Sequence, residues 1–206
     1  MGLDELELAE KPAIEIFQNL GYEYVPSSEL SSERPSSSES VLRERLRTKL
    51  KEINPEIPDE GLEEAVRQLA STQSPNLLDD NQIFHQHLVD GVQVEFEQNG
   101  EQVGRFVKPV DFNDIEKNDW VVTTQYTVQI GDNPRRKPDM VVFINGLPIG
   151  VLEFKNPTDP KATLENAYDQ VNSRYRNDIS PLLRYNEVIG LADMNEARIG
   201  CLDAGW

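Results

Sequence analysis

Residues 135–157 read "RRKPDMVVFINGLPIGVLEFKNP", two apolar runs on either side of Asn145-Gly146. Asn-Gly strongly favours a two-residue hairpin turn, so the runs are predicted as paired strands. Asp139 opens the first run, and Glu153 and Lys155 close the second. Charges at the ends of internal strands need a partner or a task, because an unpaired buried ion costs several kcal/mol. Glu153 and Lys155 are two apart and share one strand face. A simple two-residue turn would set Asp139 opposite Leu152, on the wrong face for Glu153. A three-residue loop or one β-bulge changes the parity and brings the two carboxylates together. A site here therefore requires one or the other.

Two carboxylates held together repel unless a cation lies between them. Oxygen donors suit Mg²⁺ or Mn²⁺. A lysine two residues on can orient an attacking water or neutralise charge developing on a phosphate. Together Asp139, Glu153 and Lys155 fit metal-assisted phosphodiester hydrolysis, and they equally fit a salt-bridged strand end. An acid two residues before a lysine occurs twice among the eight lysines. The second case, Asp159-Pro160-Lys161, lies between prolines and cannot be a regular internal strand.

With 206 residues, 37% of them hydrophobic, the chain can bury one core, and the sequence is expected to be a single domain. It has no apolar run of the roughly 18 residues needed to span a bilayer, which implies a soluble protein with no membrane partner. The acidic start, "MGLDELELAEKPAIEIF", lacks the apolar region of a secretory signal. The single cysteine, Cys201, cannot form an internal disulfide, which fits a reducing cytoplasm. A net charge of −17 argues against a free-standing nucleic-acid binder. The charge is uneven, however: residues 1–64 hold sixteen acids and seven bases, whereas residues 135–161 hold five bases and three acids. Arg135, Arg136 and Lys137 form a basic turn, to be read as either simply solvated or a phosphate contact.

Outward from this stretch, helical spacing covers Leu6 to Leu20 and stops at Gly21, with the regular helix starting near Pro12. Residues 26–40, "PSSELSSERPSSSES", read as a mobile surface loop. Three further helices follow, one capped near Ser40, one at Asp59 and one from Pro75 to Gly91. The period then changes to two, with a hairpin around Asn99-Gly100, a strand over 120–128, and the opening stretch. A helix over about 163–176 and strands over about 186–192 and 197–202 complete the chain. The fold class is α/β (α+β), a central mixed β-sheet flanked by helices.

The longer run "VTTQYTVQIGDNPRRKPDMVVFINGLPIGVLEFKNP" closely resembles the N-terminal nuclease domain of the R (restriction) subunit of type I restriction-modification enzymes, in the PD-(D/E)xK superfamily. The family's words Arg-Pro-Asp, Asn-Gly-Leu-Pro and Glu-x-Lys-Asn-Pro stand here as Lys137-Pro138-Asp139, Asn145-Gly146-Leu147-Pro148 and Glu153-Phe154-Lys155-Asn156-Pro157. "LAEKPAIEIFQNLGYEYV" is similar to its opening helix and "YNEVIGLADMNEARIG" to a later strand pair. The resemblance implies a restriction-endonuclease-like core in which Asp139, Glu153 and the Phe154 carbonyl bind the metal and Lys155 is the catalytic lysine. Glu10 matches an acidic residue on the first helix that supports the metal, and it equally fits an ordinary charge at a helix start.

The family also carries Gln-x-x-x-Tyr on the helix after Glu-x-Lys, whereas here four residues separate Gln170 from Tyr175. On a regular helix that spacing turns Tyr175 about 140° from Gln170, so Tyr175 reaches the site only if the helix ends or bulges. By resemblance the substrate is double-stranded DNA, cut nonspecifically after translocation, and the partners are methyltransferase and specificity subunits of a bacterial or archaeal complex. ATP would serve only a motor region, and the chain has no Gly-x-x-x-x-Gly-Lys-[Ser/Thr] loop to bind it. The sequence is expected to be a piece of such a subunit or a detached one. Two alternatives are a non-catalytic docking module that retains the fold, and the nuclease domain of another helicase-linked system.

Overall fold

Pro12 in the first turn and Gly21 just past the end, at φ +94°, bound helix α1 (Lys11–Asn19) as the sequence predicts. The structure, a computed structural model, describes residues 9–156, 163–193 and 196–205. Leu6, Pro157, the Asp159-Pro160-Lys161 motif and Met194-Asn195 lie outside the described residues. After α1 come β1 (Glu23–Tyr24), α2 (Ser27–Leu30), α3 (Arg43–Ile53), α4 (Asp59–Ala70) and α5 (Leu77–Asp90). The Asn76 side chain caps α5, accepting from the Leu78 and Asp79 amides at 2.9 and 3.2 Å. Hairpin β2 (Val92–Gln98) and β3 (Glu101–Val107) turns at Asn99-Gly100 and forms its own two-stranded sheet. Then come β4 (Trp120–Thr124), β5 (Met140–Ile144), β6 (Leu147–Phe154), α6 (Leu164–Asp169), a π-helical turn (Gln170–Tyr175), α7 (Arg176–Asp178), α8 (Ser180–Leu183), β7 (Val188–Ala192) and β8 (Ala197–Gly200).

The main sheet has the order β1-β4-β5-β6-β7-β8 and is mixed: β1 with β4 and β6 with β7 are parallel, the rest antiparallel. Helices cover both faces, so β5 is buried at every position and shows no polar alternation. Val141, Phe143 and Val151 pack against Ala167, Val171 and Tyr175. Met140, Val142 and Phe154 pack on the other side against Ala13, Phe17 and Tyr22. A further cluster joins α3, α4 and α5 to the β2–β3 hairpin through Leu50, Leu62, Phe84 and Phe96.

Several sequence expectations change; Asp59 does not cap α4 but is its first residue, after Pro58 and with no side-chain cap. Residues 26–40 are not simply a surface loop: Leu30 is fully buried, and the Arg34 guanidinium lies over the Tyr126 ring and donates to the Glu39 and Thr127 carbonyls. One arginine and one leucine thus anchor a segment whose composition is that of a solvated chain. Ser40 does not cap α3; its hydroxyl is buried and its carbonyl accepts the Tyr126 hydroxyl at 3.2 Å. The strand over 120–128 ends at Thr124, because Gln125 takes φ +54°, where the chain cannot stay extended.

The Asn145-Gly146 turn, at φ +51° and +82°, is fixed from several directions. The Asn145 amide donates to the Pro109 carbonyl at 2.8 Å and to Asn118 Oδ1 at 2.9 Å, and Asn145 Oδ1 accepts the Asp119 amide at 2.7 Å. The Leu42 amide, at the start of α3, donates to the Gly146 carbonyl at 2.9 Å. A Cβ on Gly146 would meet the Leu42 carbonyl oxygen at 2.5 Å and the Leu46 nitrogen at 3.0 Å, both backbone, whereas one on Gly100, also left-handed, would meet nothing within 4 Å. Gly146→Ala is therefore expected to cost roughly 3 kcal/mol and Gly100→Ala about 1. Thermal unfolding checks this, with the first variant lowering Tm by roughly 6–12 °C and the second by much less.

Candidate active site

Because the turn has two residues, the parity problem is solved by a bulge. Ile144 pairs with Leu147 and Phe143 with Pro148, but Val142 then pairs with Gly150, leaving Ile149 as an extra residue on β6. Pro148 has no amide to give the ladder, and prolines in central strands are found at bulges. Beyond the shift Met140 faces Leu152, so Asp139, one residue before β5, comes opposite Glu153. The Phe154 amide donates to Asp139 Oδ2 at 2.8 Å, joining the two strand ends.

Glu153 is fully buried on the face that packs against the π-helical turn. Its Oε1 accepts the Tyr175 hydroxyl and its Oε2 accepts Gln170 Nε2 at 2.7 Å. Gln170 Nε2 also reaches the Tyr175 hydroxyl at 2.8 Å. The helix bulges at Gln170–Tyr175, and a spacing of five, which would separate these side chains on an α-helix, here puts both on one carboxylate. Lys155 Nζ stands 3.7 Å from Glu153 Oε2 and donates to Gln170 Oε1 at 3.2 Å.

Sequence reasoning missed Gln125. Its Nε2 donates to Glu10 Oε1 at 2.6 Å and to Asp139 Oδ1 at 3.2 Å, and its backbone amide donates to the Asp139 carbonyl at 3.1 Å. Glu10, buried at the start of α1, therefore meets Asp139 through the Gln125 amide. Among the described residues no three His, Cys, Asp or Glu side chains converge at metal-binding distance. The left-handed backbone of a non-glycine residue next to paired carboxylates is the physical sign of Gln125, and it cannot be read from the sequence "VTTQYTV".

Beside this network lies a cleft of about 340 Å³ lined by Arg135, Arg136, Lys137, Gln170, Arg174 and Tyr175. All three residues of the basic turn thus reach the wall of the site. Arg136 is engaged there, its Nε 2.7 Å from Asp178 Oδ2. The histidines are elsewhere, with His85 Nδ1 2.8 Å from Glu187.

The sequence profile described as "Type I restriction enzyme R protein N terminus" matches residues 2–205. The chain belongs to this family. A Methanocaldococcus jannaschii protein, provisionally named as the MjaIXP type I restriction enzyme endonuclease subunit, is 35% identical over 99% of the chain and 20% of its own length. The Haemophilus influenzae type I restriction enzyme HindI endonuclease subunit is 34% identical over 96% of the chain and 19% of its own length. The chain spans about a fifth of the length of these relatives. In this R protein N terminus the mixed sheet flanked by helices is a restriction-endonuclease-like α/β fold. Among its described residues no helix is long and apolar enough to cross a membrane.

Burial, and then the neighbouring Asp139 carboxylate, hold the Glu153 pKa well above the usual 4.5, against the lowering effects of Tyr175 and Lys155. Burial, followed by Glu153 itself, likewise raises that of Tyr175. A raised folded-state pKa gives stability that is complete below the unfolded value and lost as pH rises toward the folded one. Without added metal, the stability of Glu153→Gln relative to the wild-type R protein N terminus is therefore expected to increase as pH rises from 4.5 toward neutrality. Paired denaturant titrations across that range measure it, and a pH-independent difference would contradict the assignment.

Proposed function

We propose that the chain is the metal-dependent endodeoxyribonuclease domain of a type I restriction enzyme R subunit, hydrolysing phosphodiester bonds of double-stranded DNA. The observation that supports this reading is the convergence of Asp139, Glu153 and Lys155 at adjacent strand ends, held in one network by Gln170, Tyr175 and the Phe154 amide. The donor set suits Mg²⁺ or Mn²⁺, since it offers carboxylate and carbonyl oxygens and no soft ligand. Asp139, Glu153 and the Phe154 carbonyl would hold the ion, because a carboxylate oxygen that accepts one hydrogen bond still has a lone pair to give. When bound, such an ion supplies positive charge at the scissile phosphate.

The protein's own groups act by position. The Phe154 amide fixes Asp139 Oδ2, and Tyr175 and Gln170 fix the two oxygens of Glu153, so neither carboxylate needs to reorient during the reaction. Gln170 Oε1 holds the Lys155 ammonium at the rim of the pair. From there Lys155 can donate a proton-bearing N–H to a phosphate oxygen as negative charge develops, or orient the attacking water. In the proposed full assembly the chain would act in a bacterial or archaeal cytoplasm with methyltransferase and specificity subunits, and ATP would drive a separate motor region.

Calorimetric titration of Mn²⁺, with plasmid nicking assayed in parallel, tests the proposal. Wild type is expected to take up Mn²⁺ saturably, and Asp139→Ala to lose both uptake and nicking. Lys155→Ala is expected to keep metal uptake and lose roughly 100-fold or more in nicking rate. Failure of the wild-type chain to bind metal would overturn the reading.

A further inference from the structure

In a chain of net charge −17, most lysines and arginines among the described residues lie within 4.0 Å of a carboxylate, as Arg45 does with Glu33, Arg47 with Glu63 and Arg184 with Asp80. Of the exposed ones that do not, among the described residues, Arg135, Lys137 and Arg174 line one cleft, while Arg105 and Lys108 lie apart from it, on β3 and just after it. Each is exposed. Arg135 and Lys137 come from the turn before β5, and Arg174 from the π-helical turn whose Gln170 and Tyr175 bind Glu153. The fourth base, Arg136, differs from these: its side chain is paired with Asp178 and its backbone with Val128 at 2.8 and 2.9 Å, so it ties the two walls together. Asn133 adds a second tie, its amide donating to the Asp178 carbonyl at 3.2 Å.

We infer that Arg135, Lys137 and Arg174 form a track for the sugar-phosphate backbone of one strand of duplex DNA, leading to Lys155, with Arg136 the brace that holds the track open. Unpaired cations in an acidic protein attract a polyanion, and three set around an open cleft suit successive phosphates better than one small anion, which would need its donors to converge. The cleft shares Gln170 and Tyr175 with the carboxylate network, so a strand lying in it comes directly to the candidate site. The inference rests on the nuclease reading for its choice of duplex DNA, and it adds Arg174, which no sequence motif marks, while removing Arg136 from the DNA contacts.

Equilibrium binding of a labelled duplex by the chain in EDTA, measured by fluorescence anisotropy between 50 and 200 mM salt, tests it. Three phosphate contacts at about 0.9 counterions each give a log–log slope of roughly −2.7, a weakening of roughly 40-fold over that range. Arg174→Gln, or Arg135→Gln, should bring the slope to roughly −1.8 and the weakening to roughly 12-fold. Arg67→Gln, an exposed arginine on α4 outside the cleft, should leave the slope unchanged. Unaltered slopes in the two cleft variants, or no salt-dependent binding by wild type, would overturn the track. Mn²⁺ titration of the same proteins separates the two ideas. If the slope falls as expected while wild type binds no Mn²⁺, the track stands and the hydrolysis reading fails; if Mn²⁺ binds and the slopes do not respond, the track alone fails.

Discussion

The arrangement of this domain depends on one constraint, the fixed length of the Asn145-Gly146 turn. Side chains alternate along a strand, so the turn length sets which face of β6 meets which face of β5. The turn cannot lengthen, because Asn118, Asp119 and Pro109 hold Asn145 and the backbone of α3 closes on Gly146. With the turn fixed, only an extra residue within the strand can bring Asp139 and Glu153 to the same face. Ile149 is that residue, placed where Pro148 has already removed an amide from the ladder. The apolar residues are shifted along with the acids. Val151 then lies on the same side as Val141 and Phe143, so the register that assembles the carboxylates is also the one that closes the core against α6.

The helix facing this sheet solves a matching problem in the same way. Four residues separate Gln170 from Tyr175, one more than the three that would keep them on one face, and an α-helix would send them in different directions. One widened turn absorbs the excess residue and returns both side chains to Glu153. Each insertion interrupts regular hydrogen bonding, and each lies within hydrogen-bonding reach of the paired carboxylates or in the strand that carries them. Irregular backbone at such places is how a fold aims a side chain that regular geometry would misdirect.

How far the sequence reveals this follows from whether each feature is local. The helices, the two Asn-Gly hairpins and the Asp139, Glu153 and Lys155 set are legible because period, turn dipeptides and motif spacing are properties of neighbouring residues. The need for either an odd loop or a bulge is legible as a parity argument, and the structure resolves it as a bulge beside Pro148. The widened helical turn was legible only as a mismatch between Gln170 and Tyr175. Gln125, Arg34 and Arg174 were not legible, since what distinguishes them is contact with residues far away in the chain: Glu10 and Asp139 for Gln125, Tyr126 and Thr127 for Arg34, and the facing basic turn for Arg174. Nothing in a Ser-rich composition reports that one arginine inside it stacks on a buried ring.

The charge balance at Glu153 links this structure to its chemistry. Asp139 and Glu153 bring two negative charges to adjacent strand ends, and Lys155 brings one positive charge. Tyr175 and Gln170 donate hydrogen bonds but no charge, so the cluster as built is one positive charge short, in a place where water cannot supply the screening. A proton on Glu153 would make up the deficit, and burial with the neighbouring Asp139 carboxylate raises the Glu153 pKa in that direction. A divalent cation in its place would overshoot by one charge, and a phosphodiester carries one negative charge. On this count the cluster would reach neutrality in two ways, by keeping a proton or, under the proposed function, by taking ion and substrate together. The second restores balance only when a phosphate is present, which would couple metal occupancy to the arrival of the strand to be cut.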